Sequence, residues 1–224
     1  MSRDADRLWT HPWNGCCGGH DRSVCLAVGR VLSGVAVCVV LDEPTETAVE
    51  YAERVKSALD SLGISPQLIT DRSLALCEEA SDLVAADIDG SGTGHRLVPA
   101  AATAWRAMKA AASSDGITLQ IVSAFRSVER QTAIIRRKLE AGISLPEILA
   151  VSAPPGFSEH HSGRAIDITT TGVRPLEQEF DGTAAFQWLS RSAGSFGFIL
   201  SYPLGNRHGY LYEPWHWCYR VSPP

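Results

Sequence analysis

The sequence predicts an α+β fold with a central, mainly antiparallel sheet flanked by helices, and three observations carry that prediction. In the second part of the chain, helical patterns concentrate early and strand patterns late. No regular β-α-β alternation joins them. The 224 residues, 45% apolar and 20% charged, suffice for one generous core with a smaller extension. That extension is placed at residues 1–70 as a small β-α-β unit of unknown function, and the main domain at 71–224.

Met1 to about Ser33 mixes Trp, Gly, Cys and charges without helical or strand period and reads as a loop or arm. Gly34 to Leu41 is a short valine-rich run. Thr45 to Leu62 places Val49, Ala52, Val55, Ala58, Leu59 and Leu62 near helical spacing before Gly63, and Pro66 to Ile69 is expected as the returning strand. Leu74 to Ala86 reads as a helix, and Asp87 to Gly94 as a glycine-rich, hairpin-like turn. Its DIDGSGTG sequence puts Asp87 and Asp89 at positions 1 and 3 of a calcium-loop pattern. Position 12, where that pattern needs a bidentate Glu, is Val98, so a simple turn is expected.

Pro99 to Ala112 is an alanine-rich helix carrying Trp105 and Met108, and Ile117 to Ala124 is a β-branched strand that delivers Phe125 and Arg126 at its end. Glu129 to Ala141 is a helix stopped by Gly142, and Leu145 to Ala150 a short one entered through Pro146. After the Pro154-Pro155-Gly156 loop, Ala165 to Thr169 alternates like a strand. Thr183 to Ala193 is helical, Phe196 to Tyr202 extended, and Tyr210 to Tyr219 an aromatic strand broken by Pro214.

The net charge of −5, with no dense Lys/Arg stripe, argues against a nucleic-acid partner, whose phosphates would want a basic face. The one long apolar stretch, Val24 to Leu41, is interrupted by Arg30 and preceded by more than twenty mixed residues, a poor signal peptide and a poor membrane span. The six cysteines show no CxxC pair, and Cys38 and Cys77 lie in apolar patterns that suggest buried thiols. Both features lean towards a reducing, cytoplasmic setting.

Three histidine-containing places invite a metal reading: SEHHSGRAID at 158–167, Arg207-His208, and Glu213-Pro214-Trp215-His216. A catalytic zinc site wants about three nitrogen or oxygen ligands and one open position. Asp167 and one of the adjacent His160 and His161 supply two, with Gly163 and the small Ala165 letting the loop fold tightly before the strand. His216 is preferred over His208 as the third because Glu213, a carboxylate able to take a proton from water, stands three residues before it. In a straight strand those positions face opposite sides, so a bend at Pro214 is required to bring both to one site.

SAFRS at 123–127 followed by Gln131, SEHHSGRAID at 158–167, FGFILSYP at 196–203 and YEPWHW at 212–217 occur together in an order and spacing that resemble the zinc D-alanyl-D-alanine carboxypeptidase and D,D-dipeptidase family, which includes vancomycin-resistance enzymes. The resemblance runs from roughly Leu74 to Tyr219. It implies a hedgehog/D,D-peptidase-like fold, Zn2+ bound by His160, Asp167 and His216, Glu213 as base and Arg126 opposing the oxyanion. It also implies that Ser158 and Gln131 bind the substrate's end, and it selects His160 over His161, because the family's pattern is Ser, any residue, His.

The expected partner is a peptide ending in a D-amino acid, cleaved as a wall-precursor carboxypeptidase, a cytoplasmic D,D-dipeptidase or an L,D-carboxypeptidase. A reading from another class is a zinc-containing protein that binds peptides or wall fragments without cleaving them. Glu213 and Arg126 speak against it, since a pure binder needs no base beside the metal.

Overall fold

The computed structural model describes residues 46–88 and 94–220. Two helices open it, α1 (Glu46–Ser61) and α2 (Pro66–Asp71). A hairpin follows, β1 (Val84–Ile88) antiparallel to β2 (Gly94–Leu97), and leads into α3 (Pro99–Ser114). The remaining elements are β3 (Gln120–Ser123), α4 (Val128–Glu140), α5 (Leu145–Ala150), β4 (Ala165–Thr169), α6 (Ala184–Ser192), β5 (Phe198–Leu200) and β6 (His216–Tyr219).

The four later strands form one sheet ordered β3-β4-β6-β5, antiparallel at every pairing. The mixed helix and antiparallel sheet architecture is therefore the one predicted. Local chemistry explains most of its elements. Pro99 opens α3, where the missing N–H costs nothing, and Ala101, Ala102, Trp105, Met108 and Ala112 recur at helical spacing as its buried face. Ser127 caps α4 by accepting from Arg130 N–H at 3.1 Å, and Arg137 and Lys138 sit in its last turn, where the dipole favours cations.

β4 is buried along its whole length. Its alternation still separates two faces: Ile166 and Ile168 join the core that Trp105, Met108, Leu189 and Trp217 build under the sheet, which leaves Asp167 pointing the other way. A second apolar cluster gathers Val55, Leu59 and Leu62 of α1 and its C-terminal end with Val128 and Ile135 of α4 and Ile148 and Leu149 of α5. α1 and α2 thus dock on the helical side of the molecule.

Three expectations need correction. Pro66 to Ile69 is the helix α2 and not a returning strand: Ser65 accepts from Leu68 N–H at 3.4 Å and Pro66 occupies the first turn. Leu74 to Ala86 is not helical, because its backbone donors go elsewhere, Cys77 N–H to Gly156 O at 2.7 Å and Ala80 N–H to His161 O at 2.9 Å, and the chain enters β1 at Val84. Cys77 is half-buried, not core. The valine-rich strand at 34–41, the N-terminal arm and the cysteines at 16, 17, 25 and 38 lie outside the described residues, as do the tip of the β1–β2 hairpin and Asp89. Among the described residues no helix is long and apolar enough to cross a membrane.

The loop between α5 and β4 carries the functional motif and is pinned on several sides. Glu159–Ser162 form a 3₁₀ turn closed by Gly163 at φ +63. Val98 N–H reaches Gly163 O at 3.0 Å and Arg126 N–H reaches His160 O at 3.2 Å. His161, fully buried, accepts Gly156 N–H on Nε2 at 3.0 Å and donates from Nδ1 to Arg126 O at 2.5 Å.

Two outcomes follow. A Cβ on Gly163 would meet Leu83 Cδ2 at 2.8 Å and Ala80 Cβ at 3.2 Å in a left-handed conformation, so Gly163→Ala is expected to lose about 1–3 kcal/mol in urea unfolding. Burial pushes the His161 imidazole from 6.5 down to about 4. The unfolded chain therefore binds more protons than the folded one between those values, and this residue's contribution is lost as pH falls through that window. The stability gap between wild type and His161→Gln should narrow from pH 6.5 to about 4; a constant gap would contradict the assignment.

Candidate functional site

The β4–β6 register places Asp167 directly opposite His216, and the β3–β4 register places Ser123 opposite Asp167 on the other side. Neighbours across an antiparallel ladder share a face, so Asp167 and His216 point into one site. His160 arrives from the 3₁₀ turn above them. Its Nδ1–H donates to Ala124 O at 2.7 Å, which leaves the Nε2 lone pair facing Asp167 Oδ2 at 3.2 Å. His216 turns Nδ1 to Asp167 Oδ1 at 3.0 Å.

One ligand atom from each of His160, Asp167 and His216 lies within 4.8 Å of the others, and all three residues are buried. A tetrahedral ion with bonds near 2.0–2.1 Å holds its ligands about 3.3 Å apart, close to the two separations from Asp167. Two imidazole nitrogens and one carboxylate oxygen, with no thiolate, form a donor set that fits zinc with a position left for water.

Glu213 stands just before β6. His216 N–H closes a turn onto Glu213 O at 3.1 Å, and Glu213 Oε2 comes within 3.9 Å of His216 Nδ1. The bend at Pro214 therefore puts both residues on one side. Arg126, released from the end of β3, donates to Ser123 Oγ and Gln131 Oε1, each at 2.8 Å, and holds NH2 3.7 Å from Asp167 Oδ2. Gln131 is fully buried and spends its amide N–H on Ala153 O at 2.7 Å, so its side chain is engaged with protein on both ends. Ser158, also buried, precedes the 3₁₀ turn.

Charge is unevenly distributed around these groups. Burial alone would raise the Asp167 carboxyl, but His160 and His216 beside it hold it well below the usual carboxylate range. Burial lowers His160, whereas His216 is raised despite its burial because the Asp167 and Glu159 carboxylates stand against its two ring nitrogens. Burial, reinforced by Asp167, lifts Glu213 to about 7 against the opposing pull of His216, Arg126 and Lys138.

Several participants carried no legible signal in the sequence. Glu159 accepts from His216 Nε2 at 3.1 Å, from Ser201 Oγ at 2.6 Å and from Arg220 NH2 at 2.5 Å. Its place beside His160 in the motif was the one available hint. Ser201 and Arg220 come from elsewhere in the chain and meet Glu159 only through the sheet. Lys138 donates to Ser152 Oγ at 2.8 Å; burial and then Arg126 lower its pKa, while Glu213 raises it. His208 lies outside the group formed by His160, Asp167 and His216, with its carbonyl accepting from Arg72 Nε at 2.7 Å. His161, the rejected alternative ligand, is turned away to Gly156 and Arg126.

Comparison with known proteins places this arrangement. Residues 94–222, more than half of the chain, match the family model described as VanY, D-alanyl-D-alanine carboxypeptidase. A Bacillus subtilis (strain 168) protein named as a candidate carboxypeptidase, YodJ, is 35% identical over 148 residues, covering 63% of this chain and 54% of its own. The chain thus spans about half the length of that curated relative. The LdcB LD-carboxypeptidase structure superposes with a TM-score of 0.57 at 34% identity, covering 63% of this chain and 69% of that one. A vancomycin-resistance D,D-pentapeptidase VanY mutant in complex with Zn(II) gives a TM-score of 0.50 at 27% identity, covering 66% and 88%. Four ordered motifs, an antiparallel sheet that unites them and a family match across more than half of the sequence lead to one conclusion: the chain belongs to the VanY D-alanyl-D-alanine carboxypeptidase family.

Proposed function

We propose that this chain hydrolyses the peptide bond before a C-terminal D-amino acid, with zinc held by His160, Asp167 and His216, Glu213 as base and Arg126 as oxyanion donor. The observation that carries the reading is the convergence of two imidazole nitrogens and a carboxylate beside a second buried carboxylate, Glu213, that is not one of the three proposed ligands. The catalytic unit is taken as residues 71–224, and residues 1–70 as an addition whose helices dock on α4 and α5.

Zinc bound there supplies Lewis acidity, lowering the pKa of water towards neutrality. Glu213 takes a proton from the attacking water as the new C–O bond forms. Burial lifts this carboxyl to about 7, and the positive charge of a bound cation acts in the opposite direction, so the carboxylate is the form that meets the water. Arg126, braced by Ser123 and Gln131, opposes the negative charge that develops on the carbonyl oxygen, a contribution of about 3–4 kcal/mol for a preorganised donor. When the C–N bond breaks, Glu213 returns the proton to the leaving amine.

A substrate with a free C-terminus needs a cation near the scissile bond. Lys138 is suited to this: a half-buried ammonium whose hydrogen bond goes to the neutral Ser152 hydroxyl, close enough to Arg126 and Glu213 to feel both charges. Ser158 and Gln131 belong to the same end of the site, Gln131 acting through Arg126. A groove of about 620 Å³ lined by Val151, Leu211, Tyr212 and Trp215 together with the acidic Glu177, Glu179 and Asp181 adjoins the segment that carries Glu213, and it suits the rest of an extended peptide. The likeness to an LD-carboxypeptidase favours L,D specificity as the second reading.

Release of D-Ala from a pentapeptide ending in D-Ala-D-Ala is expected to require zinc and to stop on chelation, and Glu213→Ala should lower kcat by roughly a hundredfold or more while zinc stays bound. Absence of zinc-dependent release from both this pentapeptide and the tetrapeptide ending in a single D-Ala, or full activity in that variant, sinks the mechanism. Release from the tetrapeptide ending in a single D-Ala, with the pentapeptide untouched, selects the L,D reading instead. Lys138→Met should raise KM for the free-acid peptide by roughly tenfold, the worth of one charge-assisted hydrogen bond, and leave a C-terminally amidated analogue unaffected. An equal loss on both peptides would assign Lys138 a purely structural role.

A further inference from the structure

A metal-binding imidazole has two nitrogens, and the partner of the distal one decides which lone pair faces the ion. For His160 that partner is the Ala124 carbonyl. For His216 it is a side chain. Nε2 lies 3.1 Å from Glu159 Oε2, and this carboxylate is itself fixed from two further directions, by Ser201 Oγ at 2.6 Å and Arg220 NH2 at 2.5 Å.

The Glu159 side chain is only 15% exposed, so water offers weak competition for its hydrogen bonds. Tyr202 packs against the His216 ring with centroids 4.7 Å apart and planes inclined by 33°. The imidazole is therefore held by a face contact and an edge hydrogen bond together.

We infer that Glu159 is a positioning residue for the metal centre: by accepting the Nε2 proton of His216, it keeps the Nδ1 lone pair turned towards Asp167 and His160 and raises the ring's strength as a ligand. This rests on the zinc reading above. Glu159 and His160 are neighbours in one 3₁₀ turn. That turn therefore supplies one ligand and orients another that lies 56 residues further along the chain. Ser201 Oγ and the Arg220 guanidinium hold Glu159, restricting its rotation so that the carboxylate does not leave His216.

The test measures zinc directly and not only activity. Zinc affinity of wild type, Glu159→Ala and Ser201→Ala is determined by competition with a chromophoric chelator at neutral pH, after circular dichroism has established that each zinc-free protein is folded. Glu159→Ala is expected to bind zinc roughly 10–100-fold more weakly, and the visible spectrum of its Co(II) form to differ from wild type. Ser201→Ala, which keeps the His216 contact, should stay within a few-fold.

In zinc-loaded wild type, nitrogen NMR of the His216 ring should show a proton on Nε2 and metal coordination at Nδ1. That measurement needs no variant and decides the question if Glu159→Ala does not fold. Unchanged zinc affinity and Co(II) spectrum in Glu159→Ala, or coordination through Nε2, overturns the inference while the zinc site stands. A wild type that takes up no zinc removes the site reading together with it.

Discussion

The pairing of β4 with β6 is the constraint on which the rest of the site depends. Ala165 lies opposite Cys218, Ile166 opposite Trp217 and Asp167 opposite His216. Because side chains alternate along a strand, a slip of one residue would turn Asp167 into the apolar core and expose Ile166 and Ile168 to the polar side. The register is therefore enforced by core packing: Ile166, Ile168 and Trp217 all enter the cluster built on α3 and α6. Burial of apolar surface on one face thus specifies the chemistry on the other.

On the site face, polar and charged groups are buried at a density that would be costly without mutual compensation. His160, His216, Asp167, Glu213 and Gln131 all lie below the surface, and each has a partner at hydrogen-bonding or ion-pair distance. Arg126 and Arg220 offset part of the negative charge, one beside Asp167 and the other on Glu159. The remaining cluster of carboxylates around two imidazoles is an environment that favours a cation. The loop that delivers His160 has little freedom, since the backbone around residues 156–163 is tied to Cys77, Ala80, Val98 and Arg126.

The helical side plays a different part. α4 begins two residues after Arg126; its buried face carries Gln131, which braces Arg126, and two turns later the half-buried Lys138 reaches Ser152. The packing of α1 and α2 on α4 and α5 anchors this helix. Residues well outside the family match therefore contribute to the stiffness of groups beside the site.

Much of this was legible in the sequence because it is local. Apolar periodicity marked α3, α4, α6 and β4, Pro99 marked a helix start, and the spacing of Asp167, Glu213 and His216 with one of the histidines at 160 and 161 marked the candidate site. Pro66 to Ile69 and Leu74 to Ala86 were misread because short apolar runs carry no distinctive period, and what decided them was where their backbone hydrogen bonds went. Glu159, Ser201, Arg220 and Lys138 were invisible as functional residues, since a charged or hydroxyl side chain has many uses and only its neighbours select one. By itself the sequence determined which residues are chemically able to hold a metal, take a proton and oppose an oxyanion. Which imidazole nitrogen faces the site, which carboxylate accepts from the other, and how Glu213 and His216 come to one side were decided only by tertiary structure, because each depends on distances between segments far apart in the chain and on a strand register that core burial enforces.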